Sequence, residues 1–296
     1  MRALVCAVLM CWGGVACHAQ CDGDQFGKVL SVQPRAGDRF GYAAAIDGDV
    51  AVLGAPRDDP VGDGVESGSA LVLRYDGQSW MPEAELVPSN GTTGDEFGYS
   101  VAVTGNVIVV GARSDDDAGS SSGSAYVFRF DGSAWVEEGK LVASDGRRDD
   151  WFGTSVAIDG DAAVVGAPQN SLHDPGWAYV FRFDGAAWRE EAKLASSDGE
   201  AKDDFGNAVA ISGTTALIGA WNEGNTGQSF PNGTGAAYVF EFDGSAWGEQ
   251  VKLVSPDPLP GELDRFGRAL PPHGPPALLR PGPLPHTPPS APSGAA

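Results

Sequence analysis

The stretch that decides the fold is Asp-Trp-Phe-Gly-Thr-Ser-Val-Ala-Ile-Asp-Gly-Asp-Ala-Ala-Val-Val-Gly-Ala-Pro, residues 150–168. Thr154, Val156 and Ile158 alternate with the smaller Ser155 and Ala157, which is the period of a β-strand. Asp159-Gly160 follows, and a second apolar run returns to Gly166-Ala167. Two apolar runs separated by Asp-Gly predict a tight β-hairpin.

Variants of this stretch occur four times, and its opening residues occur a fifth time. The Phe-Gly pairs are spaced by 57, 55, 53 and 61 residues, and an Asp precedes each Phe by two positions. Because these residues recur in every unit, we expect them to serve the shared fold, with the Asp capping backbone groups. The repeated positions are Asp38, Phe40, Gly41, Asp95, Phe97, Gly98, Asp150, Phe152, Gly153, Asp203, Phe205, Gly206, Asp264, Phe266 and Gly267.

Each unit continues with two more apolar segments joined by an Asp-Gly turn. In the second unit, Ala125–Phe130 is aromatic and β-branched, Asp131-Gly132 turns the chain, and a last strand runs from Trp135 to Val142. Four short strands with tight turns predict an antiparallel meander. One such sheet cannot bury both faces, and stacking copies around an axis solves this.

We therefore predict an all-β fold, a β-propeller of four-stranded antiparallel blades. It would contain four full blades, a closing strand at Gln25–Val32 and the stub of a fifth blade, in an incomplete ring. The Gly-Ala pairs would allow close approach of neighbouring backbones, and the repeated Phe and Trp would fill the spaces between blades. A side-by-side solenoid is the structural alternative.

Phe-Gly followed about 14 residues later by Gly-Ala-Pro resembles the FG-GAP repeat, the blade of the integrin α-subunit propeller. Gly54-Ala55-Pro56 and Gly166-Ala167-Pro168 match fully, whereas Gly111-Ala112-Arg113 and Gly219-Ala220-Trp221 match in part. The Asp-Gly-Ser-Ala-Trp turn and the Lys-Leu segment are similar to the bacterial extracellular subtype. The resemblance implies a ring of about seven blades and a role in adhesion or ligand recognition.

One departure from the family concerns calcium. Integrin blades often carry a loop of the form Asp-x-Asn-x-Asp-Gly-x-x-Asp between their first two strands. Here that connection is as short as Asp159-Gly160-Asp161, which cannot wrap six or more oxygen ligands around Ca²⁺. Weak Ca²⁺ candidates lie instead in the variable connections between second and third strands. They are Asp58, Asp59, Asp63, Asp115, Asp116 and Asp117. Solvated acidic loops that keep the protein soluble are the alternative.

Catalytic chemistry is sparse, and no catalytic residue is assigned. His173 is the one histidine among the repeats, so a Ser/His/Asp triad or a zinc site finds few partners. Carboxylates are abundant, but no unit-specific cluster of His, Arg, Tyr or acids is visible. The sequence favours a non-enzymatic module for adhesion or for protein or glycan recognition. The alternative is a propeller-fold polysaccharide lyase or hydrolase.

The ends of the chain differ from the repeats in composition. Residues 1–19 have a positive end, an apolar run and Cys17-His18-Ala19, which predicts a signal peptide; a retained anchor is the alternative. After cleavage Cys21 alone would remain, so no disulfide within the mature chain is expected. No membrane span is expected in the mature chain either, because the apolar run belongs to the signal peptide. We expect a secreted or cell-surface protein. A charge of −21, from 40 acidic and 19 basic residues, argues against nucleic acid as a partner.

The last segment, residues 269–296, holds ten prolines and no acid. We expect residues 20–268 to form the propeller repeats, with units starting near residues 40, 97, 152, 205 and 266, and 269–296 to be disordered. Since repeat and acidity stop together after Gly267, we interpret this tail as the product of a frameshift or truncation. A natural proline-rich tail or wall-spanning linker is the alternative.

Overall fold

The computed structural model of the chain describes residues 37–60, 66–168, 174–224, 233–256 and 265–270. The predicted signal peptide, the closing strand Gln25–Val32, Asp63, His173, Asp264 and most of the proline-rich tail lie outside them. Within the described residues the regular structure is entirely β. The strands are β1 (Ala43–Asp47), β2 (Val50–Ala55), β3 (Ser69–Tyr75), β4 (Trp80–Leu86), β5 (Phe97–Thr104), β6 (Val107–Ala112), β7 (Ser124–Phe130), β8 (Trp135–Leu141), β9 (Ser155–Asp159), β10 (Ala162–Ala167), β11 (Trp177–Phe183), β12 (Trp188–Leu194), β13 (Phe205–Ser212), β14 (Thr215–Ala220), β15 (Ala236–Phe242) and β16 (Trp247–Val254).

The strands form four separate sheets, each with four antiparallel strands paired in chain order. We call them blades 1 to 4, formed by β1–β4, β5–β8, β9–β12 and β13–β16. The predicted four-stranded meander is therefore confirmed. A β-bulge recurs at the same place between the third and fourth strands of every blade, and bulges of this kind increase the local twist.

The blades pack face to face in chain order, and the apolar core lies between them. We call the face of a blade that meets the next blade its rear face, and the opposite one its front face. Val50 and Val52 on the rear of blade 1 join one cluster with Val101 and Val103 on the front of blade 2. Burial of these side chains from water is the main driving force for stacking.

The Phe side chains at the three junctions between full blades fill the space there, as predicted, whereas Phe40 and Phe266 are half-buried. Phe97 is completely buried. Its ring meets Tyr126 edge-on at 5.4 Å and Phe128 at 6.0 Å between centroids. Phe152 and Phe205 repeat this arrangement in the next two blades. Edge-to-face packing adds to the gain from burial.

The tryptophans also lie at the blade junctions, as predicted, but they are less buried than the Phe rings. Trp135, Trp188 and Trp247 are only partly buried and pack against the clusters. The physical reason is the indole N–H, which needs a partner when it is buried. Trp135 Nε1 donates to Glu83 of the preceding blade at 2.9 Å. The rings therefore lie where that N–H can reach a carboxylate.

The repeated glycines meet each other across every blade junction. A Cβ on Gly54 of blade 1 would lie 2.0 Å from the carbonyl oxygen of Gly98 in blade 2. Gly98 has φ of 87°, and a Cβ there would lie 2.3 Å from the carbonyl oxygen of Ser69. The equivalent pairs are Gly111–Gly153, Gly166–Gly206 and Gly219–Gly267. The predicted close approach of neighbouring backbones is confirmed.

Backbone pairing also links each unit to the blade before it. Phe97 forms a parallel bridge with Gly68, and Phe266 forms the same bridge with Gly235. Arg265–Leu270 therefore begins a fifth unit on blade 4, as expected. Extensive strand contacts join only consecutive blades among the described strands. The arc of blades is thus an incomplete ring.

The glycine contact predicts a sharp difference between two glycines of blade 2. Gly111→Ala places a methyl group against the Gly153 carbonyl, 2.1 Å away, and should lower the free energy of unfolding by about 2–3 kcal/mol. Gly139→Ala is the control, because nothing lies within 4 Å of its Cβ. Urea unfolding measures both. Equal effects of the two substitutions would contradict this account of the junction.

Candidate functional site

Variable residues of different units come together at one end of the blades, next to the inner side of the arc. First strands of consecutive blades contact one another, so they line the inner side of the arc. Phe97 at the start of β5 pairs with Ala112 at the end of β6. The residues beside the Phe-Gly and Gly-Ala pairs therefore share one end of each blade. We call this end the mouth.

The residue between Asp and Phe has a left-handed backbone in all five units. The φ values are 58° at Arg39, 57° at Glu96, 55° at Trp151, 57° at Asp204 and 51° at Arg265. A side chain in this region costs roughly 1 kcal/mol or more. The preceding Asp supports the turn, since Asp95 accepts hydrogen bonds from Thr92 N and Oγ1, both at 2.7 Å. Asp150 and Asp203 accept the equivalent backbone N–H at 2.7 Å.

Five residues from three blades form an aromatic and charged group at the mouth. We call it the mouth cluster; it consists of Tyr42, Glu96, Tyr99, Arg113 and Trp151. The Tyr42 and Tyr99 rings lie 4.9 Å apart between centroids. The Arg113 guanidinium carbon lies 3.9 Å from the Tyr99 centroid and 5.4 Å from that of Trp151. Such cation–π contacts fix the rings in place.

Hydrogen bonds hold the charged members of the mouth cluster rigidly. Arg113 Nε donates to Glu96 Oε2 at 2.7 Å, and Arg113 Nη1 donates to the Tyr99 hydroxyl at 2.8 Å. Burial raises the pKa of Tyr99 to about 12, and the hydrogen bond with Tyr42 adds to this effect. Tyr99 therefore remains a neutral phenol at physiological pH. Tyr42 is 47% exposed and presents its ring to solvent.

The mouth cluster was missed in the sequence, where no unit-specific cluster was visible. Its members belong to three units and meet only after the blades stack. A signal existed, because Tyr42, Tyr99 and Arg113 occupy variable positions directly next to the invariant Phe-Gly and Gly-Ala pairs. A position that varies between units but lies next to an invariant pair has a fixed place in the fold and a side chain that differs from unit to unit.

Two of the acidic candidates for Ca²⁺, Asp115 and Asp117, contact groups of the protein itself. Asp115 is buried and accepts hydrogen bonds from Ser124 Oγ at 2.8 Å and Lys140 Nζ at 2.7 Å. Lys140 Nζ also pairs with Asp117. An ammonium group thus lies between the two carboxylates. Among the residues that the structure describes, no group of three acidic, His or Cys side chains could hold a metal ion.

The other acidic candidates are more dispersed. Asp58 is buried and accepts a hydrogen bond from Ser69 Oγ at 2.6 Å. Asp59 is half-buried, and Asp116 is exposed. Asp63 lies outside the described residues. A calcium site at these residues stays a prediction.

In later blades a lysine and a tyrosine also meet at a carboxylate, which there belongs to the connection between blades. Burial alone would raise the pKa of Asp115, but hydrogen bonds led by Lys140 lower it below the usual range. Lys193 and Tyr179 both bind Asp145, at 2.6 and 2.8 Å. Lys252 and Tyr238 bind Asp198 in the same way. These bonds tie the mouth loops to the third and fourth strands.

Blade 4 carries two acids with unusual proton affinity. Burial raises the pKa of Asp203 to about 6. Burial, with a smaller effect from the charge of Asp203, raises the pKa of Asp204 to about 7. Both lie at the mouth end, in the Asp-x-Phe position of their unit.

These features define an all-β protein of propeller blades with a variable mouth. The sequence model of the FG-GAP repeat family matches residues 24–73, 80–128, 135–181 and 188–240, which is about two thirds of the chain. The chain therefore belongs to the FG-GAP repeat family. The later matches begin at or next to the first residue of a fourth strand. The first match, in the same register, includes the predicted closing strand Gln25–Val32. No curated protein matches the chain significantly. In the described part of the chain no helix is long and apolar enough to cross a membrane.

The Lys140 pair predicts a pH-dependent loss of stability. Lys140→Gln leaves the buried Asp115 carboxylate without its counter-charge and should cost about 2–3 kcal/mol at pH 7. In the wild type the pKa of Asp115 is lowered, so its stabilising effect exists at neutral pH and is lost as pH falls through that pKa. The deficit should therefore shrink at pH 3 in urea unfolding. The control is Arg148→Gln, which removes the exposed ion pair between Arg148 and Asp149 and should change the stability little. A deficit that is equal at both pH values would contradict the pairing.

Asp204 predicts the opposite pH dependence. Its folded pKa of about 7 exceeds the usual 3.8, so the folded state binds the extra proton and loses stability as pH rises from about 4 to 7. Asp204→Asn keeps the shape and suits a left-handed backbone. It should stabilise the protein by about 2 kcal/mol at pH 8, allowing for solvent screening, and hardly at all at pH 3.5. Asp243→Asn is the contrast, because backbone N–H groups lower the pKa of Asp243 and the variant should not gain stability. No gain at pH 8 for Asp204→Asn would refute the assignment.

Proposed function

We propose that this protein is an exported, non-enzymatic binding module that recognises a protein or glycan outside the cell or at its surface. FG-GAP repeats on propeller blades form a binding scaffold in general. The observation that carries the finer proposal is the mouth cluster. It unites rings and charges from three blades at positions that the fold leaves free to vary.

The chemistry of the mouth cluster suits recognition by contact. Tyrosine rings offer a large apolar area with a polar tip, and their rigidity keeps the entropic cost of binding low. Because Arg113 is already bonded to Glu96 and Tyr99, the rings are positioned before a ligand arrives. A preorganised aromatic surface of this kind stacks on the apolar face of a sugar or on a peptide side chain.

The proton chemistry supports binding over catalysis at this cluster. A general base works best with a pKa near the working pH, whereas the pKa of Tyr99 is raised to about 12. The alternative, a polysaccharide lyase or hydrolase, finds its best support in Asp204, whose pKa of about 7 would suit a general acid. That acid belongs to blade 4, whereas the mouth cluster lies on blades 1 to 3.

Ligand screening tests the proposal directly. The purified protein, applied to glycan arrays and to extracellular protein fractions, should retain a ligand. Tyr42→Ala should weaken its binding about tenfold, since an aromatic contact is worth up to about 1.5 kcal/mol. Met81→Ala, which removes an exposed side chain from the outer strand β4, should leave binding unchanged. A ligand whose affinity is indifferent to Tyr42 would contradict the assignment of the mouth.

Two further measurements address export and catalysis. Expression with the native leader followed by N-terminal sequencing should give a mature chain that begins after Ala19. Polysaccharides incubated with the protein should show no new reducing ends and no absorbance from unsaturated sugars. Turnover that is lost in Asp204→Asn would replace the binding proposal with the enzymatic one.

A further inference from the structure

The three internal junctions between blades share one polar arrangement, which we call the clamp. Arg74 and Glu83 on blade 1 are paired at 3.1 Å. The Arg74 guanidinium carbon lies 5.3 Å from the Phe130 ring of blade 2, and Trp135 Nε1 donates to Glu83 at 2.9 Å. The equivalent sets are Arg129, Glu138, Phe183 and Trp188, and Arg182, Glu191, Phe242 and Trp247.

A second contact, which we call the latch, also repeats at every internal junction. Ser89 after blade 1 donates from N and Oγ to the carboxylate of Glu137 in blade 2, at 2.9 and 2.8 Å. Ser144 binds Glu190 and Ser197 binds Glu249 in the same way. Clamp and latch are therefore the polar contacts that recur between neighbouring blades at each internal junction.

The two end blades depart from this pattern in matched pairs. On the rear of blade 4, Glu241 and Gln250 replace the clamp Arg and Glu, and Pro256 replaces the latch Ser. On the front of blade 1, Tyr75 replaces the clamp Phe and Pro82 replaces the latch Glu, while Trp80 is kept.

These replacements complement one another in the register of an internal junction. Glu241 would face Tyr75, so that a hydroxyl donates to a carboxylate where elsewhere Arg stacks on Phe. Gln250 would offer its amide oxygen to Trp80 Nε1. Pro256 would pack against Pro82 in place of the Ser–Glu hydrogen bonds. Since the rear face changes at each of these positions in a way that suits the front face, the end faces fit each other better than they fit an internal blade.

Apolar side chains at both ends are exposed where internal ones are buried. Ile46 on the front of blade 1 is 58% exposed, whereas the equivalent Val103, Ile158 and Ile211 are at most 3% exposed. On the rear of blade 4, Leu217 is half-buried, whereas Val52 in the same position is fully buried. Covering such surface is favourable.

We propose that a second copy of this chain covers both ends. The rear of blade 4 in each copy packs on the front of blade 1 in the other, which closes two arcs into one two-fold ring. Eight blades lie within the range that propellers adopt, about four to eight, and are one more than the ring of about seven that the family resemblance implies. The contact joins different surfaces but closes after two copies, so it does not grow into a filament. This inference is independent of the proposed function.

Docking requires one exchange. Arg265-Phe266-Gly267 now lies on blade 4, with the Gly267 carbonyl against Gly219. The same tripeptide, Arg39-Phe40-Gly41, begins blade 1. In the dimer the tripeptide of the second copy would take the place of the chain's own. Because the two tripeptides are identical in sequence, the exchange replaces one Phe-Gly junction with an equivalent one.

The test is the mass of the full chain in solution, by light scattering and sedimentation across a concentration series. The wild type should have twice the chain mass. Ile46→Arg places a charge in the contact and should give single chains. Val136→Arg is the matched control, because Val136 is 49% exposed on the outer strand β8, and it should stay a dimer. Trp80→Phe keeps an aromatic ring but loses the N–H and part of the ring area, and should weaken the dimer about tenfold.

Phe266→Ala separates this inference from a merely structural role of the fifth unit. Loosening the chain's own tripeptide should tighten the dimer. The inference would be overturned by single chains at all concentrations up to about 0.1 mM, by open-ended oligomers, or by an Ile46→Arg variant that stays dimeric. A wild-type monomer whose blades 1 and 4 cross-link within one chain would equally overturn it, in favour of closure by a single copy.

Discussion

The contact on which the rest of this structure depends is the meeting of two backbones at each blade junction. Gly54 and Gly98 approach so closely that a single Cβ would lie 2.0 Å from a carbonyl oxygen. Close-packed interiors do not absorb such an overlap. The distance between blades is therefore set by the main chain, and the Phe, Val and Ile side chains fill a gap of fixed width. The Phe-Gly and Gly-Ala signature is the sequence record of that contact.

Many carboxylates of this acidic chain accept hydrogen bonds from other groups of the same chain. Asp95 supports a turn, Asp115 holds a lysine, Asp131 accepts two backbone N–H groups, and Glu83 joins two blades. Each of these carboxylates has a donor supplied by the chain. An acidic composition can therefore build junctions and turns as well as attract cations.

The sequence predicted the blades well because their signals are local. Alternation, Asp-Gly turns and repeated Phe-Gly pairs each act within a few residues, and together they give strand order and unit count. The mouth cluster depends on stacking, which brings Tyr42 next to Tyr99 across 57 positions of the chain. Lys140 was similarly hidden, because nothing local connects it with Asp115. The tryptophans were expected between the blades, but their bonds to Glu of the preceding blade were missed, because pattern analysis treats the indole as purely apolar and ignores its N–H.

The left-handed residue before each Phe has a consequence for how such proteins diversify. Its backbone is fixed by the preceding Asp and by the glycine contact that follows, so different side chains share one left-handed conformation, which costs least for Asn and Gly. Arg, Glu, Trp and Asp all occupy it in this one chain. This residue can therefore differ from unit to unit while the backbone around it stays the same. A single substitution at this residue can change the chemistry of the mouth while leaving the fold unchanged.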